Sequence, residues 1–204
     1  MTWGLIELYE NTYNPFHLQK ALQLSDELLR LFWDEENGGL FIYGSDSEQL
    51  IARPKEVYDG AMPSGNSVAA LNFLRLARLT GRQDLEEKAH TQFQTFGSNL
   101  EQVPIGHAFM LTALLFSRTS TKEVVLVGKK DDRHADELLR LIREDFRPFT
   151  LSIYATDEHE GLKEVVPFIE NYKMIDGKTT AYVCRNFACE APVTKINEFR
   201  DMLS

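Results

Sequence analysis

An α+β fold is predicted for this chain: helical hairpins up to about residue 119, then a small three-strand α/β unit. Two observations predict it. Over residues 1–119, apolar positions recur with the helical period, and helices apolar nearly all round alternate with helices bearing a narrow apolar stripe. Over residues 120–204 the pattern changes to short runs rich in β-branched and aromatic residues, KEVVLVG, PFTLSIYAT and TTAYVC, with one amphipathic helical stretch between the first two.

The elements follow in order. Residues 2–10 read as a short helix with Leu5, Ile6, Leu8 and Tyr9 apolar; it starts without a capping residue, as if continuing from something longer. Asn14-Pro15 opens a second helix, in which Leu18, Ala21, Leu22, Ser25, Leu28, Leu29 and Phe32 keep the 3.6-residue period until DEENGG ends it. Leu40 to Tyr43 and Gln49 to Arg53 are β-prone pieces joined by GSDSE, as in a small hairpin. The helix from Ser64 to Thr80 is apolar over most of its circumference, with Asn72, Arg75 and Arg78 as a polar stripe, and so is predicted to be buried. Residues 84–97 carry the narrow stripe Leu85, Ala89, Phe93 and Phe96, the mark of a surface helix, and AFMLTALLF after Pro104 is predicted to be buried again. Such alternation suits stacked helical hairpins with an inner and an outer layer. Lys122 to Gly128, a helix over 131–145, and Pro148 to Thr156 then form one right-handed βαβ unit. A loop-rich stretch runs to Gly177, Thr179 to Cys184 is a third strand, and Lys195 to Leu203 a last short helix.

The run DGAMPSGNSVAALNFLRLARLTG, from Asp59 to Gly81, holds the densest polar chemistry. Ser64, Asn66 and Ser67 stand where a helix begins, and such groups satisfy orphan backbone donors. The same helix end carries partial positive charge and suits an anion or polar ligand. RPKEVYD, upstream, adds Arg53, Lys55, Glu56 and Asp59. These charges read either as a polar binding site or as a loop tied down by salt bridges, with Asp59 bonding backbone ahead of the helix. Trp33 beside Asp34 reads either as a ring face for a sugar next to a carboxylate, or as a core anchor with a terminal acid.

A net charge of -9 excludes nucleic acid as the main partner, which needs a basic face. No apolar run approaches the roughly 20 residues of a membrane span, and MTWGLIELYE lacks the basic start and apolar core of a signal peptide, so a cytoplasmic location is expected. The five histidines, His17, His90, His107, His134 and His159, show no ligand spacing and no HExxH, so no metal is expected. His107 opens a helix and reads as a core histidine or a pocket group. Gly128-Lys129-Lys130 lacks the rest of a Walker motif, and no cofactor is called for. Cys184 and Cys189, separated by four residues, match neither a thioredoxin CxxC nor a zinc ribbon. They pair if their Cα atoms come within about 7 Å, or else remain thiols; Arg185 favours thiolate there and Glu190 opposes it.

LIELYENTYNPFHLQKA, FWDEENGGLF, IARPKEVYDGAMPSGNSVAALNFLRL, LTGR and the tail TTAYVCRNFACEAPV resemble the C-terminal part of the YyaL-like proteins, the spermatogenesis-associated protein 20 homologues. That resemblance implies a thioredoxin-like domain followed by an α/α toroid of the six-hairpin glycosidase and N-acylglucosamine 2-epimerase type. It makes residues 1–119 an incomplete α/α-hairpin toroid segment, with open hairpin ends that favour self-association or a missing N-terminal portion. It also implies a carbohydrate or similar polar small molecule at the toroid mouth. A sugar-active enzyme there, epimerase- or glycosidase-like, would use Asp59 and Glu56 as acid/base groups, with Arg53, Lys55, Trp33, Asp34, Ser64 and Asn66 binding ligand. The alternatives are a redox-linked interaction module built on Cys184 and Cys189, or a gene fragment with no function of its own.

Overall fold

The computed structural model describes residues 1–48, 51–156, 160–185 and 188–203. The expected strand from Gln49 to Arg53 lies partly outside these residues, and His159 wholly so. The described residues are α+β: eight α-helices and a mixed four-stranded sheet.

The chain divides into two compact units. The first comprises Met1–Ile6, Gln19–Ala77 and Arg82–Thr119; the second comprises Glu7–Leu18, Arg78–Gly81 and Ser120–Ser204. Helix α1 covers Thr2–Thr12, α2 Pro15–Phe32, α3 Gly65–Thr80, α4 Gln83–Gln102 and α5 Ala108–Arg118. Pro15 sits at the first position of α2, where its missing N–H costs nothing, and the Asn14 side chain accepts from the Phe16 N–H. Gly38 and Gly39, at φ +71° and +80°, let the chain turn back after α2.

Helix α3 is buried as its composition predicts, and Asn72 and Arg75 of its polar stripe are buried with it. Helix α4 shows the expected surface stripe, Leu85, Ala89, Phe93 and Phe96, extended by Gln92 and Leu100. Helix α5 departs from expectation. Only Met110, Ala113 and Phe116 are buried, while Leu115 is 55% and the preceding Ile105 90% exposed. An all-round apolar helix is buried only where something packs on every side, and among the described residues nothing covers Ile105 and Leu115 fully. Among the described residues, the segment expected to hold the hairpin carries the isolated bridges Trp33 to Leu40 and Phe41 to Lys55.

In the second unit, β1 is Lys122–Gly128, α6 Arg133–Glu144, β2 Thr150–Thr156, α7 Glu160–Val165, β3 Thr180–Arg185, β4 Ala188–Cys189 and α8 Ile196–Leu203. The strand order is β2-β1-β3-β4; β1 and β2 are parallel across α6, and β3 runs antiparallel to both β1 and β4. The two-residue β4 makes the sheet four-stranded rather than three-stranded. The stretch expected to be loop also holds α7 and a 3-10 turn over Pro167–Asn171. Asp132 caps α6 by accepting from the His134 N–H and is bonded by the Thr179 hydroxyl, which holds its carboxyl below the usual aspartate range.

Candidate functional site

In the helical unit the predicted site residues form a knot that ties backbone together. Asn66, buried near the start of α3, accepts from the Leu40 N–H at 2.7 Å and donates to the carbonyls of Leu40 at 2.9 Å and Glu56 at 2.8 Å. The buried Gln92 amide donates to Asn66 Oδ1 at 2.9 Å. The Asn66 side chain thus does the work of a neighbouring strand, satisfying groups that no sheet reaches. The Ser64 hydroxyl accepts from the Ser67 N–H at 3.1 Å and shares a 2.8 Å bond with the Ser67 hydroxyl, a helix cap.

Asp59 joins two helix starts. One carboxylate oxygen accepts from the Ser64 N–H at 2.8 Å; the other accepts from the Phe109 and Met110 N–H groups, at 2.8 and 3.1 Å, in the first turn of α5. Its own N–H donates to the Gly106 carbonyl at 2.7 Å. His107, next to it in this junction, is a satisfied core histidine: Nδ1 lies 2.8 Å from the Val103 carbonyl and the ring meets Tyr58 edge-on.

Asp34 organises the DEENGG turn. One oxygen accepts from the Glu36 and Asn37 N–H groups, and the other lies 2.7 Å from Lys55 Nζ. The Lys55 hydrogen bond, aided by those backbone donors against the opposing effect of burial, holds the Asp34 carboxyl well below the usual aspartate range. Lys55 also donates to the Gly38 carbonyl. Arg53 donates to the Tyr43 carbonyl at 2.8 Å and lies over the Phe41 ring at 4.1 Å. Lys88 sits 4.5 Å over the buried Trp33 ring.

Two clefts border this knot. One, about 430 Å³, is lined by Trp33, Asp34, Glu36, Asn37, Lys88 and Gln94, with Thr91 and Thr95 on the same side of α4. The other, about 290 Å³, brings Glu56 and Asn66 beside Leu28, Phe32, Phe41 and Ile42. Asp59, Arg53, Lys55 and Ser64 line neither. The sequence reading missed the contribution of α4. Its signal was the spacing of Lys88, Thr91 and Thr95, which puts three polar groups on one helix face.

In the sheet unit Cys184 and Cys189 are joined as a disulfide, and they face each other directly across β3 and β4 with Cα atoms 3.8 Å apart. Cys184 is buried and Cys189 exposed. Glu123 of β1, buried, is opposite Cys184 on the other side, so the three residues form one transverse row on one sheet face. The Tyr172 hydroxyl lies 3.7 Å from Cys184 Sγ and 3.5 Å from Cys189 Sγ. Its ring is held edge-on against Tyr182 at 4.9 Å. Burial first, and then the charge of Glu123, push the Tyr172 hydroxyl above the ordinary tyrosine range, so it keeps its proton and donates. Arg185 and Glu190, expected to bias the thiols in opposite directions, pair with each other at 3.4 Å.

Among the described residues no helix is long and apolar enough to cross a membrane, and no cluster of His, Cys, Asp and Glu has the arrangement of a metal site. No family model matches the chain. Over 202 residues, 98% of its length, the chain is 33% identical to spermatogenesis-associated protein 20 of Homo sapiens, and it is 33% identical to the Rattus norvegicus protein of that name over the same share. An uncharacterized protein of Caenorhabditis elegans, B0495.5, is 29% identical over 98% of the chain. The resemblance drawn from the sequence motifs is thereby borne out along almost the whole chain. The chain spans about a quarter of the length of these relatives, 26% for the human protein and 27% for the nematode one.

Proposed function

We propose, on the premise that this chain is similar along nearly its whole length to part of spermatogenesis-associated protein 20, that its helical unit is a segment of an α/α toroid and binds a carbohydrate or related polar small molecule. The observation that carries this reading is the cleft of about 430 Å³ between the DEENGG turn and α4. One indole, two amides, hydroxyls and carboxylates converge on it, the mixture of ring edge and hydrogen-bonding groups that suits a polyol. The reading is of binding rather than turnover. Both oxygens of Asp59 already accept from backbone donors, as do those of Asp34 from backbone and Lys55, so neither is poised as an acid or base. The bare face of α5, with Ile105 and Leu115, fits the same architecture as the place for a further hairpin or a second copy.

Calorimetric titration of the chain with neutral, amino and uronic sugars tests this. Binding by at least one class is expected, weakened about tenfold or more by Gln94→Ala or Asn37→Ala, each of which removes one hydrogen-bonding side chain. No heat with any class, or binding indifferent to both substitutions, rejects the cleft as the site.

A further inference from the structure

We propose that the Cys184–Cys189 bond is a thiol–disulfide exchange site, reduced by a dithiol and re-formed by the disulfide form of that dithiol, with the Tyr172 hydroxyl holding the sulfur that leaves. The site is independent of the cleft in the helical unit, and neither proposal falls with the other.

Three features separate this bond from a fixed staple. It closes a sequence separation of only 5, so it constrains the unfolded chain less than a bridge across a longer loop. It joins strands that are already paired, since Cys184 faces Cys189 and Arg185 faces Ala188. It also joins an exposed residue, Cys189, to a buried one, Cys184, which gives attack a direction.

A thiolate of the dithiol attacks Cys189 Sγ; the new sulfur–sulfur bond forms as the Cys184–Cys189 bond breaks, and its electron pair leaves on Cys184 Sγ. In the oxidised form the Tyr172 hydroxyl is 3.7 Å from that sulfur and 3.5 Å from Cys189 Sγ; as charge gathers on Cys184 the hydrogen bond shifts to it. The second sulfur of the dithiol then attacks its own partner in the mixed disulfide and releases Cys189. The dithiol is oxidised to a disulfide, the cysteine pair is reduced by two electrons, and the two protons lost by the dithiol end on Cys184 and Cys189. Glu123, across the strand from Cys184, makes a lasting thiolate there unfavourable, so the buried sulfur finishes as a thiol. Tyr172 therefore matters in the passage between states, where charge is on sulfur.

Mass spectrometry after acid quench and alkylation tests the proposal on the intact chain. Dithiothreitol in native buffer is expected to reduce the bond completely, and its replacement by glutathione disulfide to restore it. Tyr172→Phe, which keeps the ring against Tyr182, is expected to slow reduction about tenfold, the worth of one hydrogen bond to a charged sulfur, while circular dichroism stays unchanged. A bond that resists about a hundredfold excess of dithiothreitol and yields only in denaturant is a fixed staple and overturns the proposal. So does a chain whose two cysteines alkylate as free thiols after isolation in air. An unchanged rate in Tyr172→Phe, with fold intact, removes Tyr172 from the step.

Discussion

Asn66 in the helical unit and the Cys184–Cys189 pair in the sheet unit both bridge segments of backbone, and they do so under opposite conditions. The Asn66 amide supplies bonds that the chain does not otherwise have: the Leu40 N–H, the Leu40 carbonyl and the Glu56 carbonyl all depend on it. It is buried, and its own acceptor is further engaged by Gln92. The disulfide duplicates a connection that strand pairing already makes, and one of its two residues, Cys189, is exposed. A bridge that replaces missing backbone bonds is structural. A bridge that repeats existing ones is free to open.

The contrast breaks most sharply at Asn66. Asn66→Ala leaves buried backbone groups of Leu40 and Glu56 without partners, and the expected loss is about 3–4 kcal/mol of stability, since each orphaned buried group costs roughly 1–3 kcal/mol and local relaxation recovers part of it. Urea unfolding measures it. A loss under about 1 kcal/mol would mean that water or a rearranged turn replaces the amide, and the knot would lose its standing as the keystone of the helical unit.

Much of this was legible in the sequence, and what was not has a physical cause. The β-branched runs at Lys122, Thr150 and Thr180 and the amphipathic period over 131–145 are local signals, so those elements stand within about two residues of where periodicity puts them. The polar residues of the Asp59–Ser67 segment were visible too, but their partners are backbone atoms of residues 40, 56, 106, 109 and 110, which carry no mark in a string of side chains. Binding site and tied loop therefore read alike. The exposure of α5 was illegible for a related reason: composition says that a face is apolar, not that anything covers it. Glu123 did leave a trace, a lone carboxylate in an otherwise β-branched strand, whereas Tyr172 in the loop-rich stretch left none.

A second break uses the Lys55–Asp34 pair, whose side chains are 16% and 11% exposed. Lys55→Met leaves Asp34 nearly buried without its cation, and the expected cost at neutral pH is about 2–3 kcal/mol, less than the roughly 3–5 kcal/mol of a severed buried pair because two backbone donors remain. The sign of the pH dependence follows from the lowered Asp34 carboxyl. Its contribution is full above the ordinary aspartate value of about 3.9 and is lost as pH falls through the lower folded value. The parent chain should therefore lose stability steeply below about pH 4, and Lys55→Met should flatten that acid limb. Parallel acid limbs in the two proteins would show that Asp34 draws its low value from the turn alone.

The smallest effect belongs to the other member of the comparison. Reducing the Cys184–Cys189 bond in the native chain, without substitution, is expected to lower stability by only about 1–2 kcal/mol, because a short closed loop releases little unfolded-state entropy. The β3–β4 pairing should persist, and the unfolding midpoints with and without reductant measure the difference. A shift as large as that of Asn66→Ala would make the disulfide a structural bridge like the amide, and would leave an exchange site whose every opening endangered the sheet that holds it. A small shift means that the sheet tolerates both redox states, as repeated reduction and re-formation at one place in a fold demands.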